Sequence, residues 1–233
     1  VLASTAIRVV AAAAHPVPRY FPDEYLYTAI ARALGSGHAP AVRGESAHFP
    51  ALLAPLLAAP FQALASPEVA YRLTQTENAL LMSLGAVPVY LLARRLSLSA
   101  RYALACAVFA VAIPDLVYAS YTLADPVAYP FALGALGAGV AALDRPTRRS
   151  VALFLLLAGL ATFARVQYVV LFPAFGAALV LMDRRRARRV APAALLVLAV
   201  LAIGGSRLLG YYSHVADLHV GRALVRWALT DLY

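Results

Sequence analysis

The stretch that decides the fold is PVAYPFALGALGAGVAAL, residues 126–143, which holds no charged residue and runs directly into Asp144-Arg145-Pro146-Thr147-Arg148-Arg149. About 20 mostly apolar residues in a helix cross the hydrocarbon core of a bilayer. Arginines that follow such a run mark its cytoplasmic side. The stretch therefore predicts a transmembrane helix whose carboxyl end faces the cytoplasm.

Similar apolar stretches recur along the chain, and arginines separate most of them. They predict an all-α fold, a polytopic transmembrane helical bundle of about seven membrane helices. Residues 1–233 form a single transmembrane module in this interpretation. The predicted spans besides 126–143 are 1–14, 71–93, 102–118, two short helices within 151–182 broken around Arg165-Val166-Gln167, and 191–209.

Composition supports the membrane class and excludes several others. The chain is 63% hydrophobic and only 13% charged, with a mean hydropathy of +0.76, which is far from the values of soluble domains. The net charge of +9 is the excess of 20 basic residues, all of them arginines, over 11 acidic ones. The arginines lie at the ends of apolar segments, so we expect no nucleic-acid partner. Cys106 is the only cysteine, which excludes an intramolecular disulfide and a thiolate metal site.

The arginine clusters fall on alternate connections between the predicted helices. The positive-inside rule makes those connections cytoplasmic, and the sequence predicts a multi-pass protein of the cell membrane. The loop that holds Asp23-Glu24, the turn at 120–129 and Arg165 are then all on the outer face. The clusters are Arg94/Arg95/Arg101, Arg145/Arg148/Arg149 and the arginines of 184–189.

A long first outer loop, residues 15–70, is predicted to be partly helical. Leu26, Ile30 and Leu34 recur every four residues before Gly35, which indicates a short amphipathic helix at the interface. Further on, Ser66-Pro67 is typical of a helix start. The apolar run between them is too broken for a full span because it contains Pro50, Pro55 and Pro60.

The acidic pair Asp23-Glu24 follows the first apolar stretch. Ionised carboxylates beside a bilayer are costly, so a pair of them indicates a site that takes a proton or holds a cation. The alternative is structural, since Asp23 follows Pro22 and suits the N-cap position of a helix, with Glu24 in the first turn.

The order of these features resembles the GT-C superfamily of membrane glycosyltransferases, such as protein O-mannosyltransferases and the aminoarabinose transferases of lipid A. The resemblance rests on three features in this order: an acidic pair followed by Tyr25, an amphipathic helix, and an apolar run that is interrupted by prolines. It extends over residues 71–96, 114–126 and 158–165. It implies that the chain is the N-terminal module of a longer enzyme whose active site is extracytoplasmic.

The resemblance also implies a reaction and roles for residues. A sugar passes from a polyprenyl-phosphate carrier to an acceptor that the sequence leaves unknown, with inversion at the anomeric carbon. Asp23 is the expected catalytic base, with Glu24 as the other catalytic candidate. Arg165 is the expected clamp on the departing phosphate, and Asp125 orients the acceptor or pairs with Arg165. The weaker substrate-binding candidates are Arg19, Arg43, Arg72 and His48.

Simpler interpretations remain open at each position. Asp125 before Pro126 is a good helix cap, Arg165 is long enough to reach lipid headgroups, and histidines in a polar loop are mostly solvated. We expect no cofactor; a divalent metal is possible but not indicated, because the acidic pair has no obvious third ligand nearby. Membrane lipids are the other expected partner. The alternative functions are a non-catalytic membrane subunit of cell-envelope assembly and a transporter.

Overall fold

The computed structural model describes residues 1–18, 23–47, 49, 51–112 and 118–182. Most of these residues are helical. Two short 3-10 helices, Tyr118–Ser120 and Val166–Val170, accompany the α-helices. The α-helices are α1 (Leu2–Ala13), α2 (Asp23–Gly35), α3 (Leu53–Leu64), α4 (Pro67–Leu84), α5 (Ala86–Arg95), α6 (Ala100–Ala112), α7 (Asp125–Asp144), α8 (Arg148–Ala164) and α9 (Leu171–Met182).

Two helices in the described part are long and apolar enough to cross a membrane, judged by length and composition. They are Pro67–Arg95, which joins α4 and α5, and Asp125–Asp144. The mostly helical fold is therefore confirmed, and these two helices weakly indicate a membrane location. The larger number of spans stays a prediction, because the other apolar helices are shorter. The predicted helix at 191–209 lies outside the described residues.

The all-α prediction missed one small hairpin in the first loop. Strands β1 (Ala41–Val42) and β2 (Glu45–Ser46) pair antiparallel. Arg43 and Gly44 form the turn between them, with φ of 55° and 85°. Positive φ at both central residues is what a two-residue hairpin turn requires, and glycine adopts it without steric cost. The hairpin holds Arg43 at its tip.

Two predicted helix boundaries, at Pro67 and Arg165, are confirmed, and a further break in the chain has a clear physical cause. α4 begins at Pro67 with Ser66 at the N-cap position, although the Ser66 side chain makes no capping hydrogen bond. The break between α4 and α5 at Gly85 follows from Pro88, because a proline ring clashes with the carbonyl four residues before it, here that of Leu84. Arg165 separates α8 from the next helix in an extended conformation, with φ −151° and ψ 116°.

α7 lies at the centre of the bundle because its inward positions are small. Ala135, Ala138 and Ala142 are buried against Phe154 of α8 and Phe175 of α9. The two phenylalanine rings stack with centroids 4.2 Å apart. Small residues let membrane helices approach closely, which increases van der Waals contact.

The helices bring different sets of charged residues to the two ends of the bundle. At one end, which we call the arginine end, the Arg95 guanidinium lies 2.8 Å from the Asp144 carboxylate and so joins the carboxyl ends of α5 and α7. The other end, the acidic end, holds Asp23, Glu24 and Asp125. The 20 residues of α7 separate the ends by about 30 Å, the thickness of a bilayer core. The arginine end comprises Arg94, Arg95, Arg101, Arg145, Arg148 and Arg149, all exposed.

The predicted sidedness gives a labelling experiment. In a variant with Cys106 replaced by alanine, a cysteine at exposed Ser36 should react in intact cells with a membrane-impermeant maleimide. A cysteine at exposed Arg148 should react only after the membrane is permeabilised, because the arginine end is expected to be cytoplasmic. Labelling of the Arg148 site in intact cells would contradict the topology.

Candidate functional site

Glu24 is the buried centre of the acidic end. Its side chain is 1% exposed. One carboxylate oxygen, Oε1, accepts a hydrogen bond from the Tyr71 hydroxyl at 3.0 Å and another from the Thr122 backbone N–H at 2.9 Å. A buried carboxylate is tolerated when hydrogen bonds replace its water. Glu24 therefore ties α2 to α4 and to the segment that enters α7.

Asp23 lies in a different environment from its neighbour. It is the first residue of α2 and is exposed. Adjacent residues on a helix point about 100° apart, and here the two side chains lie in different surroundings. The position before Asp23, where an N-cap would lie, is outside the described residues. The pair is thus divided into one buried, hydrogen-bonded carboxylate and one open to solvent.

One face of α4 holds the loops of the acidic end together. Tyr71, Thr74, Gln75 and Asn78 are all buried on this face. The Gln75 amide donates to the carbonyl oxygens of His15 and Ser120, at 3.0 and 2.8 Å. Asn78 donates to the Tyr121 carbonyl oxygen at 2.7 Å. These amides fix the chain at 120–122 beside Glu24.

Three polar atoms near Glu24 offer open hydrogen-bonding positions. Ser120 Oγ, Thr122 Oγ1 and His15 Nδ1 are buried and have no hydrogen-bond partner among the residues that the structure describes. Ser120 and Thr122 are only 1% and 5% exposed. A buried hydroxyl without a partner is costly. The hydrogen-bonding capacity of these three atoms is therefore not used within the described part of the chain.

Arg165 and Asp125, two of the predicted site residues, form an ion pair at the acidic end. The Asp125 carboxylate contacts Arg165 Nη1, and both side chains are 35% exposed. Arg165 Nε also donates to the Gln167 side-chain oxygen at 2.8 Å. The pairing alternative for Asp125 is therefore observed, and the capping alternative is wrong, because Ala124 occupies the N-cap position of α7.

A shared apolar cluster places this ion pair near the acidic pair. Ala124 precedes Asp125, Ala164 precedes Arg165, and both alanines are buried in the same cluster. Tyr27 of α2 packs against that cluster, less than one helical turn beyond Glu24. The structure therefore brings Asp23, Glu24, Asp125 and Arg165 to one end of the bundle.

The weaker cationic candidates have separate positions. The Arg72 guanidinium donates to the Ala12 carbonyl oxygen at 3.0 Å and to the Gln75 side-chain oxygen at 3.2 Å, so it binds the carboxyl end of α1. Arg43 is exposed on the hairpin, with its guanidinium 5.4 Å from the centre of the Tyr25 ring. Arg19 and His48 lie outside the described residues.

Arg8 is a buried cation that the sequence analysis overlooked. It is 0% exposed, and its guanidinium donates to the Val111 carbonyl oxygen at 2.6 Å and to Met82 Sδ at 3.4 Å. The signal was present, because Arg8 is the only charged residue in 1–14, and a cation inside an apolar span usually has a partner. It links α1 to α4 and to the end of α6.

Within the described ranges, no group of three or more His, Cys, Asp or Glu side chains is arranged to hold a metal ion. Comparisons with protein-family models, curated proteins and solved structures found no match. The GT-C resemblance therefore stays a prediction from the sequence.

Proposed function

We propose that the protein is a membrane glycosyltransferase that moves a sugar from a polyprenyl-phosphate carrier to an acceptor at the outer face of the membrane. The observation that supports this proposal most is that an exposed carboxylate, Asp23, and a partly exposed cation, Arg165, lie at the same end of the bundle. Sugar transfer from a lipid phosphate needs a group of each kind, one for the acceptor and one for the carrier.

The proposed step is a direct displacement at the anomeric carbon. The acceptor oxygen or nitrogen forms the new bond to the sugar and gives its proton to the Asp23 carboxylate. The bond between the sugar and the carrier phosphate breaks, and its electron pair stays on the phosphate oxygen. The Arg165 guanidinium stabilises this developing negative charge with two parallel hydrogen bonds.

The remaining residues of the acidic end have supporting roles in this proposal. Asp125 holds Arg165 in place before the carrier phosphate arrives. Glu24, which is buried and bonded to Tyr71 and Thr122, anchors α2 and so positions Asp23. Arg43 supplies a second exposed cation for the phosphate, while Arg72 stabilises the end of α1. No cofactor is needed for this chemistry.

Arg165→Lys tests the phosphate clamp. Lysine keeps the charge but cannot make the two parallel hydrogen bonds, so we expect turnover to fall by about 10- to 100-fold, the value of one charged hydrogen bond. Transfer of a radiolabelled sugar from its polyprenyl-phosphate donor, in membranes that contain the full chain, measures the effect.

Asp125→Asn is the matched control, because it breaks the same ion pair and leaves the cation in place. We expect it to lower turnover less than Arg165→Lys does. Equal losses in the two variants would mean that the pair matters for structure only, and the clamp would be rejected.

A second candidate, a non-catalytic membrane subunit, has one observation in its favour. Glu24, Arg72 and Arg165 all make contacts within the chain, as residues that only stabilise a fold do. The two candidates differ in one measurable property. A subunit would leave sugar transfer unchanged when Asp23 or Arg165 is replaced, provided that the variants still fold and insert.

A further inference from the structure

An apolar groove runs along the outside of the bundle toward the arginine end. It lies between α5, α7 and α8 and has a volume of about 550 Å³. Gly134, Gly137 and Ala141 of α7 form its floor, and Leu91 and Leu157 stand on its two sides. Leu91 is 60% exposed, so the rim as well as the floor presents apolar surface.

The length of the groove matches one leaflet of a bilayer. Its floor extends from Pro130 to Ala141 along α7, which corresponds to about 16 Å at 1.5 Å per residue. Half of a hydrocarbon core is about 15 Å thick. The floor runs from the sixth to the seventeenth residue of the 20-residue α7, so an acyl chain that enters at the arginine end and fills the groove reaches past the middle of the helix.

Positive charge lies at the headgroup end of the groove. Arg95 closes the groove there, and its side chain is 37% exposed beside Asp144. Arg94, Arg145 and Arg148 are exposed on the same end. Since Asp144 is the one acidic residue on that end in the described part of the chain, a surplus of arginine faces the headgroup region.

We propose that this groove binds an anionic phospholipid, with one acyl chain on the glycine floor and the phosphate at Arg95. Basic pockets between membrane helices on the cytoplasmic side are suited to anionic headgroups. The occupant differs from the sugar carrier, because its proposed phosphate contact is Arg95 at the arginine end, whereas the carrier phosphate is proposed to lie at Arg165. The proposal stands independently of the glycosyltransferase reaction.

The test compares two lipids on the purified full chain in a mild detergent. Phosphatidylglycerol and phosphatidylcholine with the same acyl chains are added in equal amounts, and native mass spectrometry measures which one stays bound. We expect phosphatidylglycerol to be retained about fivefold more for each arginine that contacts its phosphate. Equal retention of both lipids, or of neither, would overturn the proposal.

Arg95→Gln and Asp144→Asn separate the headgroup contact from the ion pair. Both variants break the pair at 2.8 Å, but only the first removes the cation. We expect Arg95→Gln to lower phosphatidylglycerol retention about fivefold and Asp144→Asn to preserve or increase it. Equal losses in both variants would show that the ion pair, and not the cation, matters.

Gly137→Leu and Gly159→Leu test the floor of the groove. A Cβ at Gly137 would have its nearest neighbours at 3.9 Å, and one at Gly159 would have nothing within 4 Å, so both substitutions start without a backbone clash. Leucine at 137 fills the groove, whereas leucine at 159 leaves it open. We expect lipid retention to be lost only in Gly137→Leu; retention in both variants would overturn the assignment.

Discussion

Asp23→Asn is expected to lower sugar transfer by about 10²- to 10⁴-fold, the usual contribution of a general base. Asparagine has nearly the same size and still hydrogen-bonds, but it cannot take the proton of the acceptor. Asp23 is exposed at the first position of α2, so the substitution disturbs no packed interior. Initial rates with a polyprenyl-phosphate sugar donor, measured on the full chain in membranes, give the effect.

The structural role of Asp23 sets the control for this experiment. A carboxylate in the first turn of a helix stabilises it by about 0.3–1 kcal/mol through the helix dipole. Asp23→Asn should therefore insert, extract and melt almost as the unmodified protein does. If the variant keeps most of its activity, Asp23 is not the base. If Glu24→Gln alone loses activity, the base is Glu24, and if both variants stay active, the acidic pair is structural.

The helices were predictable because strong local signals define them. Residues 126–143 are continuously apolar and end at charged residues, and α7 follows them almost residue for residue. Pro67 after Ser66, Pro88 and Arg165 each mark a real boundary or break. Each of these signals acts on the backbone of a few neighbouring residues. It can therefore be recognised in a single sequence without knowledge of the tertiary contacts.

The contacts within the acidic end were not predictable in the same way. The bond between Glu24 and the Thr122 N–H joins residues that are 98 positions apart, and no local pattern contains that pairing. The sequence places Asp23 and Glu24 about 100° apart on a helix, but it does not show whether either of them is buried. Two-residue strands such as β1 are too short for any periodicity, which is why the hairpin at Arg43 was missed.

A polar face on α4 was the overlooked signal for the site. Tyr71, Gln75 and Asn78 are three or four residues apart and therefore share one side of the helix. In a membrane span such a polar face is directed toward other parts of the protein, because lipid offers no hydrogen bonds. The polar face of α4 therefore indicates which side of this helix faces the interior of the acidic end. It does not identify the groups that these side chains bind.

Glu24→Ala is expected to destabilise the protein by about 2–5 kcal/mol. The Thr122 N–H would lose its acceptor in a buried position, and the missing side chain would leave a cavity. The Tyr71 hydroxyl is affected less, because the Ser120 carbonyl oxygen lies 3.3 Å away and offers another acceptor. Thermal melting of the full chain in detergent measures the loss.

Two further variants show whether hydrogen bonding or volume causes that loss. Glu24→Gln keeps a carbonyl oxygen that both donors can reach, so it should cost much less than Glu24→Ala. Tyr71→Phe removes only the donor that has an alternative acceptor, and we expect it to cost about 1 kcal/mol, a typical single hydrogen bond. If Glu24→Ala melted like the unmodified protein, Glu24 would not anchor α2, and the division of the acidic pair into a structural carboxylate and a reactive one would be wrong.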